Sequence, residues 1–491
     1  MSLNPDSPHF PSDLEPITVG SLPIVASFCR KLGIPALVDK HVASPDNISS
    51  GEVVVAMIMD TLTGRNPLYK LCETFQYQDI GLLFGRDIDI SHFNDNNLGK
   101  VLDNIHAAGS SQLFSKISWQ ACQRYNLDLR FQHFDTTSVS VYGEYAAYTE
   151  ETDKHIAIVH GHSKDGRSDL KQFMMGCLCV EGSIPLLGAV YSGNKSDKRA
   201  NNQELTRVAS LMKKHKLDPK AHIYIADSAA ITRENLPVLN SGLFVSRLPA
   251  TYNAESEAVD WALDHGVWKE IGALNETPVS ADVKASEQGS GKGIKSKARP
   301  PAEYSICETR ITLYGVEYRS IVAHSSAHDK RRLKKLERRL QADRDHFKEL
   351  EKSERKTFYS CLEDATNASR RLLSDTKPDF HRIEVKAVEA PVYEPGRPRM
   401  GQPRRVRQMR YKLELVLHED NARIERARLR AGCFVLLTNV PEKGPEALDG
   451  REILVAYKQQ YGVENNFRFL KDPLIVNDTF LLSTSRYPAM A

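Results

Sequence analysis

The sequence predicts an α/β protein: a mixed sheet with helices packed on it, preceded by a helical region and interrupted by a long stretch of different character. Up to about residue 127 the apolar residues recur at helical spacing. From Leu127 the period shortens, and short apolar runs then alternate with helical ones. Between 250 and 430 the pattern loosens, after which GCFVLLTNV returns to a buried strand followed by a last helix.

The N-terminal region, 1–127, gives the clearest helices. SSGEVVVAMIMDTLTG has start signals at Ser49 and Ser50 and a stop at Gly64. NDNNLGKVLDNIHAAGSSQLFSKISWQACQRY reads as two helices around a break at Gly109–Ser111. A helix-turn-helix that contacts DNA and a purely structural bundle both fit that pattern.

Residues 128–249 open the sheet. DLRFQHFDTTSVSVYG is rich in β-branched and aromatic residues and ends at a glycine. KQFMMGCLCVEGSIPLLGAVYSG is two apolar runs around Glu181-Gly182, a hairpin signal. A helix (NNQELTRVASLMKKHK), a short buried strand (AHIYIAD), a helix (ITRENLPVLN) and a strand (GLFVSRLP) complete the order.

In 250–430, KASEQGSGKGIKSKARPP predicts an exposed loop. DKRRLKKLERRLQADRDHFKELEKSERKTF predicts a long amphipathic helix, with Leu333, Leu336, Leu340, Phe347 and Leu350 on one stripe. RIEVKAV and MRYKLELVLH predict strands flanking PGRPRMGQPRRVR. Arg397 and Arg399 in that connection suit a narrow minor groove, and a basic hairpin loop suits the same residues. Residues 431–491 hold the last strand and YKQQYGVENNFRFLKDP, predicted as one helix.

Composition narrows the classes. The 491 residues are 41% hydrophobic and 26% charged, and no run approaches the roughly 18–20 apolar residues of a membrane span. The N-terminus lacks the basic and apolar regions of a signal peptide. Eight scattered cysteines form no disulfide framework, and Cys177-x-Cys179 predicts a buried strand over a zinc site. A cytoplasmic, reduced protein is expected. With 66 Lys and Arg against 63 acidic residues and a net charge of +3, any contact with nucleic acid must come from local basic patches.

The acids point to chemistry. Asp135 follows the apolar run RFQHF and Asp227 follows HIYIA. Aspartate is disfavoured in strands and costly when buried without a partner. A strand-terminal aspartate starting a turn explains either alone, whereas both in one sheet suit a pair facing a common point. Glu464 lies seven residues from Tyr457 and from Lys471, with Gln460 between, so one helix face would carry the row. Val463, Phe467 and Leu470 form an adjacent apolar stripe. A solvated face is the alternative reading of such a row. Carboxylates of this kind suit two-metal phosphodiester chemistry, with Mg²⁺ ions roughly 3.5–4 Å apart.

At this point the sequence resembles the DDE transposases of bacterial insertion sequences, on an RNase H-like fold. It is similar to the insertion-sequence-four superfamily, marked by Tyr-x2-Arg-x3-Glu-x6-Lys: Tyr457, Glu464 and Lys471 match, and Gln460 stands at the arginine position. HFDTTSVSVYGEY, GHSKDGRSDLKQF, GNKSD and IADSA resemble the subgroup numbered sixteen thirty-four. The resemblance implies an RNase H-like core interrupted by an insertion, with Asp135, Asp227 and Glu464 holding two Mg²⁺ ions, for which Mn²⁺ can substitute. It implies DNA contacts from Tyr457, Gln460 and Lys471, a homodimer on double-stranded terminal inverted repeats and target DNA, and cut-and-paste strand transfer. Gln460 lacks arginine's charge, which implies a weaker hold on the element's end. Relatives continue further after the signature, which implies a shortened tail here; a defective copy that only binds DNA and a general RNase H-like nuclease are the alternatives.

Overall fold

The computed structural model describes residues 19–63, 66–145, 151, 155–164, 166–274, 301–396 and 403–471. The loop predicted at 284–301, apart from its last residue, and the chain beyond Lys471 lie outside the described residues. The chain divides into two compact units, Met1–Pro249 with Leu437–Ala491, and Ala250–Leu436.

The first unit begins with helices α1 (Leu22–Lys31), α2 (Ile34–His41), α3 (Ser50–Thr63), α4 (Leu71–Phe75), α5 (Ile80–Phe84), α6 (Asp95–Ala108) and α7 (Ser110–Tyr125). Start chemistry at Ser49 and the break at Gly109 lie where the sequence predicts them, and the stop predicted at Gly64 lies outside the described residues. Ser49 Oγ accepts from the Glu52 amide, and the Glu52 carboxylate accepts from the Ser49 amide, closing a reciprocal cap on α3. Gly109, at φ +87°, separates α6 from α7 in a conformation that L side chains rarely adopt. Val53, Ala56 and Met59 of α3 bury against Leu98 and Val101 of α6, with Phe75, Phe84 and Phe93 in mutual ring contact.

A sheet follows, with β1 (Phe131–Val141), β2 (Lys171–Cys179), β3 (Pro185–Ser192), helix α8 (Asp197–His215), β4 (Ile223–Ala226), the short α9 (Leu236–Leu239) and β5 (Leu243–Arg247). Its order is β3-β2-β1-β4-β5. The first three strands are antiparallel neighbours, and β1, β4 and β5 run parallel. The β2–β3 connection turns at Gly182, φ +65°, where the sequence places the hairpin. Asp135 lies within β1 and not at its end, because β1 continues to Val141 along β2 after its ladder with β4 has stopped.

The second unit holds α10 (Asn253–His265), β6 (Lys269–Leu274), β7 (Ala302–Leu313), β8 (Val316–Ser325), α11 (Ser326–Glu354), α12 (Leu362–Asp375), β9 (His381–Tyr393), β10 (Val406–Glu419) and α13 (Asn421–Arg430). Strands β6, β7 and β8 form an antiparallel meander, and β9 and β10 form a separate two-stranded ribbon. Leu336 and Leu340 on the predicted stripe of α11 bury with Phe380 and Ile424. The unit is therefore more regular than its loosened pattern suggests: β7 and β8 carry charged residues on both sides of the apolar ones, Glu308 and Arg319 forming an ion pair across the strands. That pairing hides the alternation by which strands are read.

Strand β11 (Cys433–Thr438), wholly buried, leads back to the first unit, followed by α14 (Gly450–Lys458) and α15 (Tyr461–Leu470). The predicted single helix is thus two. Gln460, Gly462 and Val463 donate to carbonyls three residues back, at Tyr457, Gln459 and Gln460, tightening the turn between α14 and α15. A three-residue turn advances roughly 20° more per residue than an α-helical one, so the row from Tyr457 through Glu464 to Lys471 does not stay on one straight face.

Among the described residues, no helix is long and apolar enough to cross a membrane.

Candidate active site

Register brings the two aspartates together. His133 of β1 pairs with Ile225 of β4, the last pair of that parallel ladder. Two residues further along each strand stand Asp135 and Asp227. Parallel neighbours are about 4.8 Å apart and side chains alternate with period two, so both aspartates leave the same face where the strands separate. Asp227 also caps the turn that ends β4, its carboxylate accepting from the Ala229 amide at 3.1 Å.

The same face receives α15. Asp135 stands directly opposite Cys177, and Cys177 and Cys179 bury against Val463 and Phe467, with Leu470 alongside. This apolar stripe is the predicted one, and it sets Glu464, next to Val463 in the first turn of α15, on the carboxylate side of the sheet. Asn466 fixes the approach by donating to the Ser183 carbonyl at 2.8 Å. Gly462 passes so close to Ser183 that a β-carbon would come within 2.9 Å of the serine's own. Glu464 itself is exposed.

Burial and neighbouring charges set the electrostatics of these groups. Burial pushes the Asp135 carboxyl up to about 7, and the charges of Asp227 and Glu464 push the same way, against Lys164 and the Thr136 amide. Burial also raises Asp227, with Asp197 adding to the effect and the Ala229 amide and Lys164 opposing it. Tyr457, in the last turns of α14, has its phenol raised to about 12 by burial, opposed by Arg247 and reinforced by Asp227, Asp135 and Glu464. Asp227 and Glu464 thus act on both Asp135 and Tyr457.

Two further groups belong to the site and were not singled out from the sequence. Lys164 Nζ donates to the Thr136 carbonyl at 2.7 Å and to Thr136 Oγ1 at 2.9 Å. It lies 3.4 Å from Asp197 Oδ1 and 4.0 Å from Asp135 Oδ1. Asp197, at the start of α8, also accepts from Thr136 Oγ1 at 2.6 Å. Both lie in stretches that carry the resemblance, GHSKDGRSDLKQF and GNKSD, but in loops or helix starts a lone lysine or aspartate looks like solvated surface.

Of the residues expected to meet DNA, Gln460 has an internal partner, its amide donating to the Phe134 carbonyl at 3.3 Å, next to Asp135. Tyr457 is half-buried, and Lys471 stands half-buried at the end of α15. Arg397 and Arg399 lie outside the described residues.

The donors are all carboxylate oxygens, the chemistry Mg²⁺ prefers. As placed, however, no three His, Cys, Asp or Glu side chains among the described residues are gathered closely enough to hold an ion.

Residues 15–119, which include α1 to α6 and most of α7, match the family model described as Domain of unknown function (DUF4277), a domain found in transposase-like proteins. No curated protein matches the chain.

Proposed function

We propose that the chain is a DDE transposase of an insertion sequence, acting on double-stranded DNA at terminal inverted repeats, with an RNase H-like core. The observation that carries the reading is the register of β1 and β4, which sets Asp135 and Asp227 on one sheet face, joined there by the helix bearing Glu464. A sheet that begins as an antiparallel meander and continues with parallel strands supports the fold assignment, and the N-terminal match supports the transposase assignment.

In this reading Asp135, Asp227 and Glu464 hold two divalent ions, Mg²⁺ or Mn²⁺, which supply charge stabilisation for phosphodiester cleavage and strand transfer. The residues themselves do the placing. Gln460 ties the α14–α15 turn to the backbone beside Asp135, Asn466 ties α15 to the β2–β3 turn, and the Cys177–Val463–Phe467 contact keeps the helix on the sheet. Tyr457, in the field of all three carboxylates, and Lys471 at the helix end are the groups proposed to hold the adjoining DNA phosphates, with Arg397 and Arg399 reaching a groove and a homodimer pairing the two ends.

The test is cleavage of duplexes carrying the element's terminal repeats, in Mg²⁺ and in Mn²⁺. Wild-type protein nicks at the repeat end, and Asp135→Ala, Asp227→Ala and Glu464→Ala each lower the rate by a factor on the order of 10³ or more. Repeat binding without any strand cleavage in either metal would assign the chain to DNA binding alone, and equal cleavage of unrelated DNA would make it a general nuclease.

A further inference from the structure

Two thiols lie beneath the helix that carries Glu464. Cys177 and Cys179 of β2 stand opposite Asp135 and His133 of β1, so both sulfurs share the face of the aspartates. Their Sγ atoms are 3.5 Å apart, and both residues bury against Val463 and Phe467 of α15. Asn466 of the same helix donates to Cys179 Sγ at 3.3 Å. The helix thus rests on the sulfur pair through one polar and two apolar side chains.

A regular strand sets such residues about 6.7 Å apart between α-carbons, at the upper end of the roughly 4.4–6.8 Å that a disulfide spans. Strand β2 is not regular here. Leu178 pairs with Leu187 but Cys179 pairs with Pro185, leaving Leu186 over, and such a bulge bends and twists the ladder. The sulfurs meet across that bend. Cys177 is the less enclosed of the two, 7% exposed against 1%. It borders Asp135, whose side chain keeps 22% of its exposure, so a reagent the size of water meets Cys177 first, from the carboxylate side.

We propose that Cys177 and Cys179 are an oxidative modification site: peroxide joins them in a reversible disulfide, and that bond loosens α15 from the sheet. Cys177 Sγ attacks one peroxide oxygen and becomes a sulfenic acid, while the other oxygen leaves as water with the thiol proton. Cys179 Sγ then attacks the sulfenic sulfur, the S–S bond forms, and a second water departs with the second proton. The two thiols give up two electrons, and the peroxide takes them. The hydrogen bond with Cys179, together with burial, holds the Cys177 thiol well above its usual range. Reaction is therefore slow and answers sustained rather than brief exposure. The bond draws the sulfurs from 3.5 Å to about 2.05 Å, which reshapes the surface that Val463 and Phe467 pack on, and a close-packed contact does not absorb such a change. Formation of the bond and loosening of the helix stand on this geometry alone. Their effect on catalysis, through the placing of Glu464, rests on the transposase reading above.

The test uses the full-length chain, incubated with hydrogen peroxide, alkylated and digested with trypsin, which leaves both cysteines in the single peptide 172–195. That peptide is expected to escape alkylation and to carry an internal disulfide, and dithiothreitol is expected to reverse both. Hydrogen exchange of the α15 amides is expected to quicken at least severalfold in the oxidised wild type. In Cys179→Ser, compared with itself before and after peroxide, it is expected to stay the same. Cleavage of terminal-repeat duplexes by the wild type should fall with the oxidised fraction and return with dithiothreitol. Alkylation of both cysteines after peroxide would overturn the inference, as would a disulfide that leaves α15 exchange unchanged. A reduced chain that never cleaves the repeats, with bond and exchange as expected, would sink the transposase reading and leave the redox site standing.

Discussion

Asp135→Asn should make the metal-free protein more stable, and increasingly so as the pH rises. In the fold the Asp135 carboxyl is pushed up to about 7, whereas an unfolded aspartate titrates near about 3.9. Between those values the folded chain binds the extra proton. The contribution of Asp135 is therefore fully present below about pH 4 and is lost as pH rises through about 7. Asparagine keeps the shape, and its carbonyl can still accept from the Thr136 amide that now bonds Asp135 Oδ1 at 2.7 Å. It never acquires the charge. At roughly 1.4 kcal/mol per pH interval, the stability difference between variant and wild type should grow by about 2–3 kcal/mol from pH 5 to pH 8. Urea unfolding of both proteins at the two pH values gives the difference directly, and groups titrating equally in both cancel. A difference that stays constant or shrinks with pH would mean that Asp135 is not held in a desolvated acidic cluster. The same substitution should abolish cleavage, so stability and activity move in opposite directions, as they do where a fold keeps a costly charge for its function.

Gly193→Ala should cost about 3 kcal/mol or more, because its β-carbon has nowhere to go. It would strike the Gln172 carbonyl oxygen and lie 2.7 Å from the Val159 carbonyl oxygen, both of them backbone atoms. Gly161 faces the same place, and a β-carbon there would meet the Gly193 carbonyl. These two glycines let the segment ending at Lys164 lie against β2 and the end of β3, where Gly193 donates to the Ala157 carbonyl and Gln172 to the Val159 carbonyl. Gly315→Ala is the useful control: it has φ +82° with open space around it and should cost only about 1 kcal/mol. Comparable urea midpoints for the two variants would show that the close approach at Gly193 does not hold the segment.

Much of this was legible in the sequence, and the exceptions have physical causes. The helical N-terminus, the β1 to β5 order and the α11 stripe follow from hydrophobic period, since burial of a face imposes it. Asp135 and Asp227 stood out because aspartate is rare in strands, and the β1–β4 register then aligns them. Spacing alone does not reveal the break between α14 and α15. Gln459 and Gln460 keep helical dihedrals, φ −66° and −57°, and neither is itself a helix breaker. Gly462 was the available sign, since its missing side chain is what admits Ser183. Lys164 and Asp197 were illegible for a different reason. They reach Asp135 through Thr136 and through the contact of Gly161 with Gly193, which joins segments whose closeness no local period records.

In the proposed function Asp135, Asp227 and Glu464 form one divalent-ion site. Iron(II) substituted for Mg²⁺, with ascorbate and peroxide, cuts a polypeptide beside the bound ion, and the fragments can be mapped by mass spectrometry. The expected result is cleavage clustered near residues 135, 227 and 464 that excess Mg²⁺ suppresses and Asp135→Asn removes. Cleavage confined to other parts of the chain, or cleavage at only one of the three positions, would mean that these carboxylates share no ion.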